Sequence, residues 1–294
     1  MRKWWLFLWG CLSLVYQSKG HERDSLLPIP ANRSLLWKIT GNDMKTPSYL
    51  FGTMHLICKE DYVWTAAMKK SLNAVKEICF EMDMDDPYLM TEAAKGMMDY
   101  SGKTLRDYFS EEEYSLLEHY FADSLGVNIS LFAGLKPAAL VSLVAQNGLA
   151  CADMISYEAV LMEEAKNRNI DITGLEHPEE QIALLDSLPV DTIIREVMRM
   201  IQGNLPNRNE YAYLVAAYKK QDVAALYQLI TEAEQNKISL NSFLDERNTK
   251  WIERMEERMD QQPVFFAVGA GHLWGANGVI NLLRQKGYKV AAVR

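Results

Sequence analysis

Few of the residues that usually build a metal or redox centre are present. The chain has 294 residues but only 4 cysteines and 5 histidines. Setting aside Cys11 in the N-terminal stretch leaves Cys58, Cys79 and Cys151. Their spacing makes neither a zinc knuckle nor a Cys-x-x-Cys redox pair. One disulfide, for instance Cys58 with Cys79, fits an oxidising compartment, but three buried small apolar side chains is the plainer expectation. The sequence contains no His-Glu-x-x-His, which excludes a thermolysin-like zinc helix. Basic residues are also in deficit, 31 Lys and Arg against 39 Asp and Glu, a net charge of -8. Without a basic stripe there is no electrostatic footprint for a phosphate backbone, so nucleic acid is not an expected partner. Past the first twenty residues no apolar run approaches the ~20 residues that cross a bilayer as a helix.

What is present is an ordinary globular composition, 49% apolar and 24% charged, enough to bury a substantial core. Residues 1–20 read as an export signal. Met1-Arg2-Lys3 is a positive start, Trp4 to Tyr16 is almost wholly apolar, and Ser18-Lys19-Gly20 carries small residues at the cleavage positions. The alternative is a lipoprotein signal with Cys11 lipidated, the one expected route to a membrane. Leu12, Leu14 and Val15 continue the apolar run past Cys11 and weigh against it. Residues 21–34, polar and carrying Pro28 and Pro30, read as a tether. The expected location is therefore outside the cytoplasm, periplasmic or secreted.

From Leu35 onward, strand and helix patterns alternate. Leu35 to Thr40 and Ser48 to Phe51 flank a loop of turn formers and predict a hairpin. A helical stretch from Trp64 to Lys76 hands over to a strand at Glu77 to Met84. Residues of about 87–169 read as mostly helical, with Ser110 and Glu113 as a capping box. A short strand, Asp171 to Leu175, precedes Glu176-His177 and a helix opened by Pro178. Further helices are expected over Asp191 to Gln202, Asn209 to Lys220, Val223 to Asn236 and Ser242 to Met259. Val264 to Val268 is a continuous apolar run suited to a strand covered on both faces. A helix over Val279 to Lys286 and a strand over Tyr288 to Val293 close the chain. The pattern predicts an α/β domain over 35–294, a central mixed sheet flanked by helices with a largely helical insertion.

Two segments share the pattern Gly-x-x-His: Gly52-Thr53-Met54-His55 and Gly269-Ala270-Gly271-His272. Each follows a predicted strand, so each glycine permits a sharp exit and each histidine projects past a strand end. Ligands of open α/β sheets bind at the carboxyl ends of strands, where two such rings can meet. The alternative is a pair of hydrogen-bonded turn residues. A helix predicted shortly after His272 would disfavour its imidazolium, keeping it neutral as a ligand or base must be.

Acids come from the strand around residue 80, where Glu77, Cys79, Glu81 and Asp83 alternate with Ile78, Phe80, Met82 and Met84. A face with three carboxylates needs water or cationic partners. Glu176 ends another strand and is expected toward the same cleft; His177 reads as a helix-start residue. Leu244, Asn248, Trp251, Ile252 and Met255 form one stripe with Arg247 at its margin, which turns an amide and a guanidinium inward. Buried polar groups need partners, so Arg247 and Asn248 are expected to hold Glu81 or Glu176, or to bind substrate. The methionines after residue 82 read as core.

Taken in order, Leu50-Phe51-Gly52-Thr53-Met54-His55-Leu56, Phe80-Glu81-Met82-Asp83, Gly174-Leu175-Glu176 with Gln181, Glu246-Arg247-Asn248 and Val268-Gly269-Ala270-Gly271-His272-Leu273 resemble the TraB/GumN family. That family is related to the Tiki proteins, metal-dependent proteases with two Gly-x-x-His motifs and an important acid. The resemblance implies that His55, His272 and Glu81 are metal-site or catalytic positions. Members are also similar in fold to erythromycin-esterase-like and haem-binding ChaN-like proteins, and the TraB name is associated with shutting down a peptide pheromone, so fold alone does not decide the reaction. The leading expectation is a metal-dependent peptidase acting on a peptide or protein. His55, His272 and a carboxylate from Glu81 or Glu176 would hold a divalent transition metal such as Mn, Co or Zn. The other carboxylate would serve as base, and Arg247 or Asn248 would stabilise the oxyanion or orient the acids. The rival expectations are a protein that sequesters a peptide or haem without turnover, and a metal-free esterase-like hydrolase.

Overall fold

The computed structural model of the protein describes residues 33–147, 151, 153–202, 208–234 and 244–294. The expected export signal, nearly all of the tether and Cys11 lie outside them. The first elements are β1 Leu36–Thr40, β2 Ser48–Thr53, β3 Ile57–Cys58, α1 Ala66–Leu72 and β4 Glu77–Met82. Next come α2 Leu89–Met97, α3 Glu111–Tyr120, α4 Pro137–Asn147, β5 Met154–Ile155, α5 Tyr157–Arg168 and β6 Asp171–Glu176. The chain continues through α6 Pro178–Asp186, α7 Val190–Ile201, α8 Arg208–Lys219, α9 Val223–Glu234 and α10 Glu246–Gln261. It closes with β7 Val264–Gly269, α11 Val279–Gln285 and β8 Lys289–Ala292.

These elements fall into two compact units. Among the described residues, one gathers those within Pro87–Cys151 and Pro178–Glu210; the other gathers those from 33 to 86 and those within Ala152–His177 and Tyr211–Arg294. The first unit is helical. In α3 the Ser110 hydroxyl accepts from the Glu113 backbone N–H while the Glu113 carboxylate accepts from the Ser110 N–H, as the capping box predicts. Tyr114, Leu117 and Phe121 then join Leu140, Val144, Ile193 and Val197 in this unit's own core. Lys136 pairs with Asp186 at 2.7 Å.

The second unit carries the sheet, which establishes the α/β class. Its strand order is β6-β4-β7-β2-β1-β8. The four strands β6, β4, β7 and β2 are mutually parallel, and β1 runs antiparallel to both β2 and β8. The β1–β2 hairpin forms as expected. Its loop places Gly41, Asn42 and Asp43 at positive φ, which those residue types tolerate. Every residue of β7 except the last is buried, as is all of β4 except Glu81, so both faces of the central strands are covered. Helix α10 lies over the face of β4 that bears the carboxylates. Arg258 pairs with Glu77 at 2.8 Å and donates to the Gly174 carbonyl, Arg254 donates to the Leu175 carbonyl, and Arg247 meets Glu81 and Glu176. Glu77 and Glu81 of the costly acidic face are thereby neutralised by one helix carrying arginines at helical spacing.

The cysteines depart from expectation. Cys58 and Cys151 each take part in a disulfide, whereas Cys79 is a free, buried thiol. Cys79 points into the covered face of a central strand, where burial pushes its thiol up to about 12, so it is inert. Among the described residues no helix is long and apolar enough to cross a membrane.

Candidate active site

The sheet topology brings the expected site residues to one edge. β2 and β7 are adjacent and parallel, with Gly52 opposite Val268 and Thr53 opposite Gly269. Both Gly-x-x-His turns therefore leave neighbouring strands in register at their carboxyl ends. β4 and β6 deliver Glu81 and Glu176 at the same edge. The glycines serve close approach rather than a sharp exit, since neither has a positive φ. A Cβ on Gly52 would lie 2.6 Å from Leu273 Cδ1 and 3.1 Å from Ala270 Cα, so the first turn packs directly on the second.

A Cβ on Gly269 would lie 3.2 Å from Glu81 Oε1, 3.7 Å from His55 Nε2 and 3.7 Å from His272 Cδ2. That point is a small cradle lined by the two imidazoles and one carboxylate. Glu81 is anchored in it by the Gly269 N–H at 2.8 Å. Its other oxygen takes the Arg247 Nη2–H at 2.7 Å, and the His272 Nε2 lies 3.8 Å from Oε1. Burial opposes the charge on Glu81, but Arg247, His272 and His55 outweigh it and hold the carboxyl far below the usual carboxylate range.

Arg247 is the hub. Its Nε and Nη2 donate to Glu176 at 2.9 Å each, a bidentate grip, while Nη1 lies 3.2 Å from His272 Nε2. Burial alone would lower its pKa, but Glu81 and Glu176 more than compensate and the guanidinium stays charged. Glu176 also accepts from Trp251 Nε1 at 2.8 Å, and its side chain is only 3% exposed against 15% for Glu81. Of the two candidate carboxylates, Glu81 is thus the one at the cradle and Glu176 the one that secures Arg247.

The two rings are held through their Nδ1 atoms. His272 Nδ1 is 2.6 Å from Asn248 Oδ1; the Asn248 amide nitrogen donates to the carbonyls of Asn277 and His272, which leaves Oδ1 as acceptor. His272 therefore carries its proton on Nδ1 and presents a bare Nε2 toward Arg247 and Glu81. Trp251 lies over the ring, with centroids 4.3 Å apart. Burial lowers the His272 pKa, and although Glu81 pulls upward, Arg247 and His55 help keep it at about 3. The neutral ring is thus a consequence of burial; the next helix, α11, begins only at Val279. His55 Nδ1 lies 3.0 Å from Glu158 Oε1. Burial works against its imidazolium, but Glu158 and then Glu81 outweigh it and raise the ring to about 9.

Glu158 escaped the reading of the sequence. It is the second residue of α5, where an acid is the ordinary helix-start choice, and nothing local marks it as buried. His177 is exposed, as expected of a helix-start residue. Among the described residues no group of three or more His, Cys, Asp or Glu forms a ready-made metal cage. The donor set nevertheless fits a divalent ion. Both imidazoles hold Nδ1 in hydrogen bonds, as metal-binding histidines do, and His55 Nε2 and Glu81 flank the Gly269 cradle.

A family model described as the TraB/PrgY/gumN family matches residues 35–292. The chain belongs to this family. Among curated relatives, metalloprotease TIKI2 of Danio rerio is 24% identical over 315 residues, covering 87% of this chain and 60% of the relative. Metalloprotease TIKI1 of Homo sapiens is 24% identical over 360 residues, covering 99% of this chain and 69% of that protein. The uncharacterized protein YbaP of Shigella flexneri is 24% identical over 255 residues, 81% of this chain and 88% of that one. The chain thus spans about three fifths to seven tenths of the TIKI relatives and most of the bacterial one. No solved structure matches. The five segments that resemble the family lie within the matched range and include every residue of the cradle.

Proposed function

We propose that the protein is a metal-dependent peptidase that works outside the cytoplasm. The observation that carries this reading is the Gly269 cradle, where two imidazoles with tethered Nδ1 atoms meet one carboxylate at the carboxyl ends of parallel strands. His55 Nε2, His272 Nε2 and Glu81 would hold the ion. A bound divalent metal supplies a polarised scissile carbonyl and a water acidic enough to attack at neutral pH. The relatives named as metalloproteases support hydrolysis of a peptide bond. Mn, Co and Zn all suit two imidazoles and a carboxylate.

The chain's own groups have separable tasks in this reading. Glu81, anchored by the Gly269 N–H and Arg247, stays ionised and is a fixed anionic donor for the ion. His55, whose side chain is 30% exposed, is the ring open to a substrate, with Nδ1 held by Glu158 and Nε2 left for the ion. Arg247 is positioned to stabilise negative charge developing beside Glu81, and Glu176 with Trp251 fixes it in place. Asn248 keeps His272 in the tautomer with a bare Nε2. The reading of residues 1–20 as an export signal and the disulfide bonding of Cys58 and of Cys151 support an oxidising, extracytoplasmic location.

A second reading has its own support. The two rings are driven in opposite directions, to about 9 and about 3, and Arg247 already bridges Glu81 and His272. That arrangement is an acid and base pair able to hydrolyse an ester without an ion. Cleavage of unstructured peptides before and after treatment with a chelator separates the two. Peptide hydrolysis lost on chelation and restored by Mn, Co or Zn is the expected result. Undiminished cleavage in chelator favours the metal-free reading, and tight binding with no cleavage favours sequestration of peptide.

A further inference from the structure

The geometry points to Glu158 as the positioning residue of His55, the group that fixes which ring nitrogen faces the cradle. Three contacts surround its carboxylate. His55 Nδ1 is 3.0 Å from Oε1, the Thr53 hydroxyl donates to Oε1 at 2.7 Å, and the Ser156 hydroxyl donates to Oε2 at 2.9 Å. An ionised carboxylate only accepts hydrogen bonds, so the proton of the His55–Glu158 contact sits on Nδ1. Nε2 is then left for the cradle, where it lies 3.7 Å from the position a Gly269 Cβ would occupy.

The local fold is built to make this contact. Just after His55, Ile57 and Cys58 of β3 pair antiparallel with Ile155 and Met154 of β5. Ser156 follows as the N-cap of α5, and its hydroxyl accepts from the Ala159 N–H while donating to Glu158. Thr53, the last residue of β2, supplies the remaining hydroxyl. The two-stranded ladder thus ties the segment after His55 to the segment before Glu158. A carboxylate on the far nitrogen of a metal-facing imidazole orients the ring and strengthens it as a ligand. Asn248 does the first of these for His272, so both rings of the cradle are aimed from behind.

The consequence for metal binding rests on the reading above, and the test separates the two. Zn²⁺ affinity of the wild-type protein, E158A and E158Q is measured by competition with a chromophoric chelator, with folding followed by circular dichroism. E158A is expected to bind Zn²⁺ about ten- to a hundredfold more weakly. E158Q, which keeps an oxygen acceptor for Nδ1–H, should stay within about threefold of wild type. Folded E158A with wild-type affinity overturns the proposal. Independently of any metal or variant, imidazole nitrogen NMR of the metal-free wild-type protein at about pH 10, where the rings are neutral, reports the tautomer. His55 protonated on Nδ1 is expected, and protonation on Nε2 overturns the proposal even if E158A does not fold. If the wild type takes up no Zn²⁺ while the Nδ1–H tautomer is present, the metal reading fails and the positioning role survives.

Discussion

The two Gly-x-x-His turns leave adjacent strands in register, yet their histidines live under opposite conditions. His55 is 30% exposed and leans on a carboxylate; His272 is 6% exposed, leans on an amide and lies beneath an indole. One ring is raised to about 9 and the other lowered to about 3. The repeated motif therefore delivers a ring to a place, while its Nδ1 partner and its burial determine its proton. A carboxylate behind the ring favours the imidazolium, and an amide with little water around it favours the neutral form.

The largest expected effects treat the two turns as one centre. H55A and H272A should each lower peptide turnover by about a thousandfold or more, and substantial activity in either variant would break the pairing. R247M should follow, destabilising the fold by about 3–5 kcal/mol in denaturant unfolding, because Glu81 and Glu176 lose their shared cation. R247K should recover only part of this, since an ammonium cannot grip Glu176 bidentately. The next contrast separates the rings. At about pH 10, where His55 has lost its extra proton, H272A should cost about 2 kcal/mol or more through lost packing and an unpaired Asn248, and H55A less. Equal costs would erase the difference in burial.

Smaller effects concern pH, measured on metal-free protein as the stability difference between wild type and each histidine variant. The folded-state value of His55 lies above the ordinary 6.5, so its contribution is complete below pH 6.5 and is lost as pH rises through about 9. His272 is shifted the other way, so its contribution is present above pH 6.5 and is lost as pH falls toward 3. H55A should therefore remove an alkaline limb and H272A an acid limb. N248D sharpens the comparison most finely. A carboxylate behind His272 should move its titration upward in an NMR pH series, toward the behaviour of His55; an unchanged titration would mean that burial alone sets it.

Much of this arrangement was legible in the sequence for definite reasons. Period-two alternation through Glu77, Cys79, Glu81 and Asp83 announced a carboxylate face in need of cations. Helical spacing of Asn248, Trp251 and Met255 announced an inward stripe with Arg247 beside it. What stayed hidden depended on pairings distant in the chain. The Glu158–His55 contact joins residues about a hundred positions apart, through a two-stranded ladder too short to show a pattern. Cys79 looked as available for a disulfide as Cys58, but its place on a covered central strand leaves it a buried thiol. The glycines of the turns suggested backbone freedom, whereas the structure uses their lack of a side chain.

The most direct test of a single centre built from both turns is anomalous diffraction from crystals of the protein loaded with Zn²⁺ or Co²⁺. The expected result is one peak at about 2.0–2.2 Å from His55 Nε2, His272 Nε2 and a Glu81 oxygen. A peak bound away from these three residues, or none while Arg247 still bridges Glu81 and His272, would contradict it.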